Sequence, residues 1–290
     1  MIRRADQKQI QCAYSLRSIE HPVSKNDKTA LRGSQRNHRC LNHGGILLKS
    51  RYPPGKRKGM ICCVLFDLDG TLIDTWHLYI ESYRRTLEPY LGRPLSEPDI
   101  VALQPSSERH LFQRLVDEVH LTTYLEKFLA HYRSLHDALF EGPYPGVVEM
   151  LEGLREGNYL LGIVTGKSRG AWHITSARSD LGSFDVVVTE DDIRNPKPSP
   201  EGLLTALEAL KISPSQALYV GDSLLDLEAA RRAHVAFGAA LWAKGPKERE
   251  GFVTAVRKEG AKACFTHPAA VVESLRSWKD KAVTGDPNGE

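Results

Sequence analysis

At 290 residues, with 41% hydrophobic and 26% charged side chains, the chain has globular composition and room for one large domain or a domain with a smaller module. No stretch approaches the roughly 20 consecutive apolar residues of a membrane helix, and the amino terminus carries charges but no apolar signal core, so a soluble cytoplasmic protein is expected. The five cysteines lack metal-ligand spacing, with Cys62 and Cys63 adjacent in an apolar run and Cys12, Cys40 and Cys264 scattered, which points to a reducing compartment.

The net charge of +3 hides a division. Residues 1–59 hold 14 Lys and Arg against three Asp and Glu, leaving 25 against 33 in the rest. The first segment shows neither strand alternation nor a helical stripe and ends in "RYPPGKRKG", so a flexible basic extension is expected over 1–59. Translated upstream sequence, an organelle-targeting peptide and a nucleic-acid-binding arm all remain compatible with that composition.

From Met60 onward, short apolar runs alternate with amphipathic stretches. Strands are expected at "ICCVLF" (61–66), "YLLGIVT" (159–165), "FDVVVT" (184–189), "ALYVGD" (217–222) and "HVAFGAALW" (234–242), with an edge strand at "ACF" (263–265). Helices are expected at 146–156, 200–210, 226–233 and about 269–278, with a frayed, disordered tail over 279–290. Between Thr75 and Glu141 there is only helical material, "WHLYIESYRRTLEPYL", "ERHLFQRLVDEV" and "YLEKFLAHYRSLHDALF", closed by "EGPYPG". The alternation predicts an α/β fold, a doubly wound parallel sheet built from 60–74 and 142–278, with 75–141 inserted as an all-helical cap over the carboxyl ends of the strands.

Those ends carry polar residues: Asp67 and Asp69 in "VLFDLDGTLIDT", Thr165 in "IVTGK", Lys197 in "NPKPSP", and Asp222 with Asp226 in "GDSLLD". Brought to one edge, four carboxylates repel unless a cation sits among them, and an all-oxygen ligand set favours a hard ion such as Mg²⁺. A carboxylate nucleophile, a positive charge, a hydroxyl donor and a proton carrier are the parts that phosphoryl transfer needs, and Asp67, Lys197, Thr165 and Asp69 supply them in that order. Gly70 allows a sharp turn with exposed amides. Simpler explanations fail on single residues. A calcium loop starting at Asp67 needs glycine at Leu72 and glutamate at Leu78, and a P-loop ending in "TGKS" needs glycine at Leu161. Asp74 suits the cap of the helix that follows.

Together "DLDGT", the Thr of "IVTGK", the Lys of "NPKPSP" and "GDSLLD" resemble the four motifs of the haloacid dehalogenase superfamily, in its phosphatase branch with a helical cap. The resemblance covers Met60 to about Trp278 and is closest to the phosphoglycolate phosphatases and related pyrophosphatases. It implies a Rossmann-like core, Mg²⁺ as cofactor and a small phosphorylated metabolite as substrate, handled by a monomer or homodimer. Asp67 would be nucleophile and metal ligand, and Asp69 general acid and base, lending the metal its main-chain carbonyl. Thr165, Gly166 and Lys197 would hold the phosphoryl group. Asp222 would ligate the metal, with Asp226 behind it. Lys167 resembles the lysine of the family's Thr-Asn-Lys triplet, with Gly166 in place of the asparagine, and with Arg109 or His110 in the cap it would meet an anionic substrate. Gln104 stands where relatives often carry glycine in the cap loop. A β-phosphoglucomutase would share the aspartates but usually replaces the first-motif threonine, here Thr71, with valine. A catalytically silent scaffold whose tail binds nucleic acid is disfavoured by the intact aspartates and lysine.

Overall fold

The computed structural model describes residues 60–105 and 107–284. The expected basic extension over 1–59 and the end of the tail, 285–290, lie outside the described residues. No helix among the described residues is long and apolar enough to cross a membrane.

Six strands form the main sheet: β1 (Cys63–Phe66), β4 (Leu160–Val164), β5 (Val186–Val188), β6 (Ala217–Gly221), β7 (Ala236–Ala240) and β8 (Ala263–Phe265), while β2 (Ile73–Asp74) and β3 (Gly142–Pro143) make a separate pair. The sheet is parallel throughout, in the order β5-β4-β1-β6-β7-β8. β1 lies at its centre with every residue fully buried. Its side chains alternate between two apolar layers, as strand geometry requires. Val64 and Phe66 pack with Ile163 and Val220 against α5 (Val147–Glu156) and α10 (Ala269–Thr284). Cys63 and Leu65 face the opposite layer, formed with α7 (Glu201–Leu210), α8 (Leu224–Arg232) and α9 (Pro246–Lys258). Helices on both faces explain why each central strand is apolar at every position.

The cap is the chain between β2 and β3, whose antiparallel pairing of Ile73 with Pro143 and Asp74 with Gly142 clamps its two ends together. It comprises α1 (Trp76–Leu91), α2 (Glu97–Ala102), α3 (Glu108–Leu115) and α4 (Glu118–Leu139). Tyr83, Phe112, Phe128 and Tyr132 form its buried aromatic core, which Ala171 and Ile174 of α6 (Arg169–Ser176) join from the sheet side. Asp74, expected to cap α1, lies one residue before the cap position: its carboxylate accepts the Trp76 amide at 3.1 Å, but the cap residue is Thr75, whose side chain makes no capping hydrogen bond.

Three boundaries depart from the expected ones for local reasons. The 184–189 strand begins at Val186, because the Asp185 carboxylate, and not a strand carbonyl, receives the Leu161 amide at 2.9 Å. The 234–242 strand begins at Ala236, because His234 adopts φ 56° and the Val235 amide closes the preceding helix on Ala230 at 2.9 Å. The last helix continues to Thr284, so 279–284 is helical where a disordered tail was expected.

Candidate active site

β1 places Asp67 one residue beyond its end, where the main-chain N–H still reaches Val220 at 2.9 Å. The turn after Asp69 needs Gly70. Its φ of +79° is one that L side chains rarely adopt, and an added Cβ would lie 2.8 Å from Asp222 Oδ2. The first motif and the aspartate at the end of β6 therefore meet through a glycine.

Lys197 crosses to the same point from the loop after β5. Its Nζ lies 2.8 Å from Asp67 Oδ1 and 2.7 Å from Asp226 Oδ1. Burial opposes the ammonium charge, but Asp226 and Asp67 outweigh it and hold the lysine above its ordinary pKa. Asp226 is completely buried and fully occupied. Besides Lys197, Tyr219 donates to its Oδ1 at 2.8 Å, while the Ser223 hydroxyl and amide donate to Oδ2 at 2.6 and 3.0 Å. Burial works against its ionisation, yet the Lys197 charge and these hydrogen bonds prevail and hold it below the usual carboxylate range. Ser223 and Asp226 also form the capping box that starts α8. One residue thus begins a helix and anchors Lys197.

One carboxylate oxygen from each of Asp67, Asp222 and Asp226 lies within 4.8 Å of the other two. Burial drives the Asp67 carboxyl well above its usual range, Lys197 opposes this, and the charges of Asp226 and Asp222 add to it. Asp222 is raised too, by burial first, with Lys244 opposing and Asp226 adding. A hard divalent cation suits this all-oxygen cluster and would offset its mutual repulsion. Asp226 is saturated, so Asp67 and Asp222 are the carboxylates able to hold it. The Asp69 side chain lies outside this trio.

Asp69 belongs to a second polar centre. Its Oδ1 accepts from Thr75 Oγ1 at 2.6 Å and forms an ion pair with Lys167 Nζ at 3.0 Å. Thr165, buried at the end of β4, accepts the Lys167 amide at 3.1 Å and brings that lysine into the site, with half-buried Gly166 between them. Lys167, which the sequence assigns to the substrate, donates hydrogen bonds to Tyr132 OH at 2.8 Å and Tyr79 OH at 3.0 Å. Two of its ammonium protons thus go to cap phenols, and its charge is paired with Asp69.

Arg109 is also placed differently from expectation. Its guanidinium pairs with Asp191 at 3.4 Å, and among the described residues no hydrogen bond or ion pair joins it to Asp67, Asp69, Thr165, Lys197 or Asp222. The Arg109 amide and the Ser107 hydroxyl both donate to Glu190 Oε2, at 2.9 and 2.6 Å, across the seam between cap and core.

Sequence reasoning does not reach Tyr79, Tyr132 and Glu108, which look like parts of amphipathic helix faces, nor Lys244, 3.3 Å from Asp222. Tyr219 is hidden in the same way inside an apolar strand. Their roles depend on how distant elements pack.

The pattern that defines the haloacid dehalogenase-like hydrolases matches residues 64–240. The chain is 35% identical over 187 residues to the pyrophosphatase PpaX of Bacillus velezensis, covering 63% of this chain and 84% of that protein. It is 38% identical over 184 residues to PpaX of Bacillus cereus, covering 62% and 82%. A structure from Lactobacillus plantarum described as a phosphoglycolate phosphatase superposes with a TM-score of 0.60 at 27% identity, covering 74% of this chain and 99% of that one. One from Thermotoga maritima described as a β-phosphoglucomutase gives 0.56 at 28% identity, covering 74% and 98%. With the aspartate-bearing parallel sheet and the inserted helical cap, these matches show that the chain belongs to the haloacid dehalogenase-like hydrolase family, in the branch resembling the phosphoglycolate phosphatases.

Proposed function

We propose that this hydrolase is a Mg²⁺-dependent cytoplasmic phosphatase that cleaves a small phosphate monoester, of the phosphoglycolate kind, through an aspartyl phosphate on Asp67. The observation that carries the reading is Lys197 Nζ held 2.8 Å from Asp67 Oδ1 inside a cluster of three carboxylates. The free thiols of Cys63 and Cys264 suit the compartment.

Asp67 attacks phosphorus in line with the ester oxygen, so that a carboxylate–phosphorus bond forms as the phosphorus–oxygen bond to the alcohol breaks. Asp69 gives the departing oxygen its proton. Water then attacks the phosphorus of the aspartyl phosphate, Asp69 takes a proton from that water, and inorganic phosphate leaves with Asp67 restored. Lys197, the Thr165 hydroxyl and the Gly166 amide balance charge on the phosphoryl oxygens. Asp67 and Asp222, with the main-chain carbonyl of Asp69, would hold Mg²⁺, which supplies positive charge to the carboxylates and phosphoryl oxygens.

A second reading, hydrolysis of pyrophosphate, is favoured by the two PpaX relatives. Release of free phosphate from a panel of small monoesters and pyrophosphate, with Mg²⁺ present, separates the two. A hexose phosphate isomerised without phosphate release would instead indicate a phosphomutase, and inactivity across the panel would refute all three.

A further inference from the structure

The Lys167 ammonium is the hub of a buried polar network that ties the cap to Asp69. Its side chain is 0% exposed and reaches Asp69 from below and two phenols from above, Tyr79 on α1 and Tyr132 on α4. Both rings also lie close to the charge, 4.3 and 4.7 Å from Nζ to their centroids. Each phenol then bonds outward. Tyr79 donates to Glu108 Oε1 at 2.7 Å, and Tyr132 shares a 2.7 Å hydrogen bond with Thr175 Oγ1 on α6. With Lys167 giving a proton to each phenol, the phenols are free to pass their own protons on, so the hydrogen-bond directions are mutually consistent.

The bonds at Asp69 are one-sided. Thr75 donates to Oδ1 and Lys167 pairs with it, whereas no hydrogen bond or ion pair from the described residues meets Oδ2, and the side chain is 26% exposed. One oxygen is fixed and the other is open.

We infer that Lys167, clamped by Tyr79 and Tyr132, is a positioning residue for Asp69, locking Oδ1 so that Oδ2 is the oxygen that carries the proton to and from the substrate. Docking of the cap and aiming of the acid–base group are then one event, because both hydrogen-bond acceptors of the ammonium are cap side chains and its ion-pair partner is Asp69. The proton moves from Oδ2 to the leaving oxygen as the phosphorus–oxygen bond breaks, and it is regained from the attacking water. The inference rests on the proposed acid–base role of Asp69.

The test is the dependence of kcat on leaving-group basicity, from p-nitrophenyl phosphate through less acidic phenols to an alkyl phosphate, with Mg²⁺ saturating. A basic leaving oxygen needs its proton and an acidic one hardly does. Lys167→Met is expected to lower kcat for the alkyl ester by about 100-fold and for the nitrophenyl ester by less than about 10-fold, with KM within about threefold. Tyr79→Phe, which keeps the ring and removes one acceptor, is expected to show the same trend with a smaller slope, and it decides the matter if Lys167→Met does not fold. Asp69→Asn provides the reference series. A steep Asp69→Asn series with a flat lysine or tyrosine series overturns the positioning role alone, and a rise in KM at unchanged kcat overturns it in favour of substrate contact. A flat Asp69→Asn series overturns the acid–base reading and the inference with it.

Discussion

Glu190→Gln should make the protein's stability less sensitive to a rise in pH from the acid range to neutrality. Glu190 sits in the single turn after β5, 5% exposed, with Oε2 accepting from Ser107 and Arg109 and with Oε1 buried without a partner. Burial, with the charge of nearby Glu108 and a smaller push from Asp191, raises its carboxyl from 4.5 to about 7, against the opposing hydrogen bonds from Ser107 and the Arg109 amide. An acid whose folded-state pKa is raised keeps its full stability contribution below the unfolded value of 4.5 and loses it as pH climbs to about 7. At about 1.4 kcal/mol per unit, the loss amounts to at most about 3.5 kcal/mol and is complete above that window. Glutamine keeps an oxygen for Ser107 and Arg109 but cannot ionise. The difference in Tm between variant and wild type should therefore shift in favour of the variant between pH 5 and pH 8, by about 6 °C or somewhat more at 2–4 °C per kcal/mol. Differential scanning calorimetry at both pH values measures it, and the difference cancels contributions from sites that the substitution leaves alone. An equal Tm difference at the two pH values would refute the reasoning.

Three further outcomes follow from the site. Asp226→Asn leaves Lys197, Tyr219 and Ser223 short of acceptors, so it should cost about 3 kcal/mol or more in denaturant unfolding, and a loss below about 1 kcal/mol would contradict its anchoring role. Gly70→Ala meets both an unfavourable φ and the Asp222 carboxylate, and it should cost at least about 1 kcal/mol together with most of the activity; a variant of wild-type stability would show that the turn relaxes freely. Mg²⁺ at 100 times its dissociation constant should stabilise the folded protein by about 2.7 kcal/mol, seen as a rise in Tm, and Asp222→Asn should abolish much of that rise. A variant that responds to Mg²⁺ as the wild type does would remove Asp222 from the cation site.

The sheet was legible in the sequence because its strands are buried on both faces and leave no polar position to blur them, as in β1 and β6. The clamp between β2 and β3 was not, since two-residue strands are too short to show any period. Residues 246–258 escaped for a related reason: Val256 is the helix's only buried residue, so it has almost no apolar stripe. The helix at 169–176 was also missed, although Ser168 caps it by accepting the Ala171 amide at 3.2 Å. At the site, Asp67 and Asp222 were readable from the ends of β1 and β6, and Lys197 and Asp226 from the segments that follow β5 and β6, which a parallel sheet brings to the same edge. The partners of Lys167 were not readable. Tyr79 and Tyr132 occupy positions that helical periodicity assigns to the core, and only the packing of α1 on α4 turns their hydroxyls inward to the ammonium.

The central claim is a phosphoryl group carried on Asp67. Quenching the protein in acid during steady turnover with Mg²⁺, reducing any acyl phosphate with borohydride and mapping peptides by mass spectrometry tests it most directly. The account predicts that the side chain at position 67, and no other aspartate, is reduced to an alcohol. Reduction at another residue, or none while phosphate is being released, would contradict it.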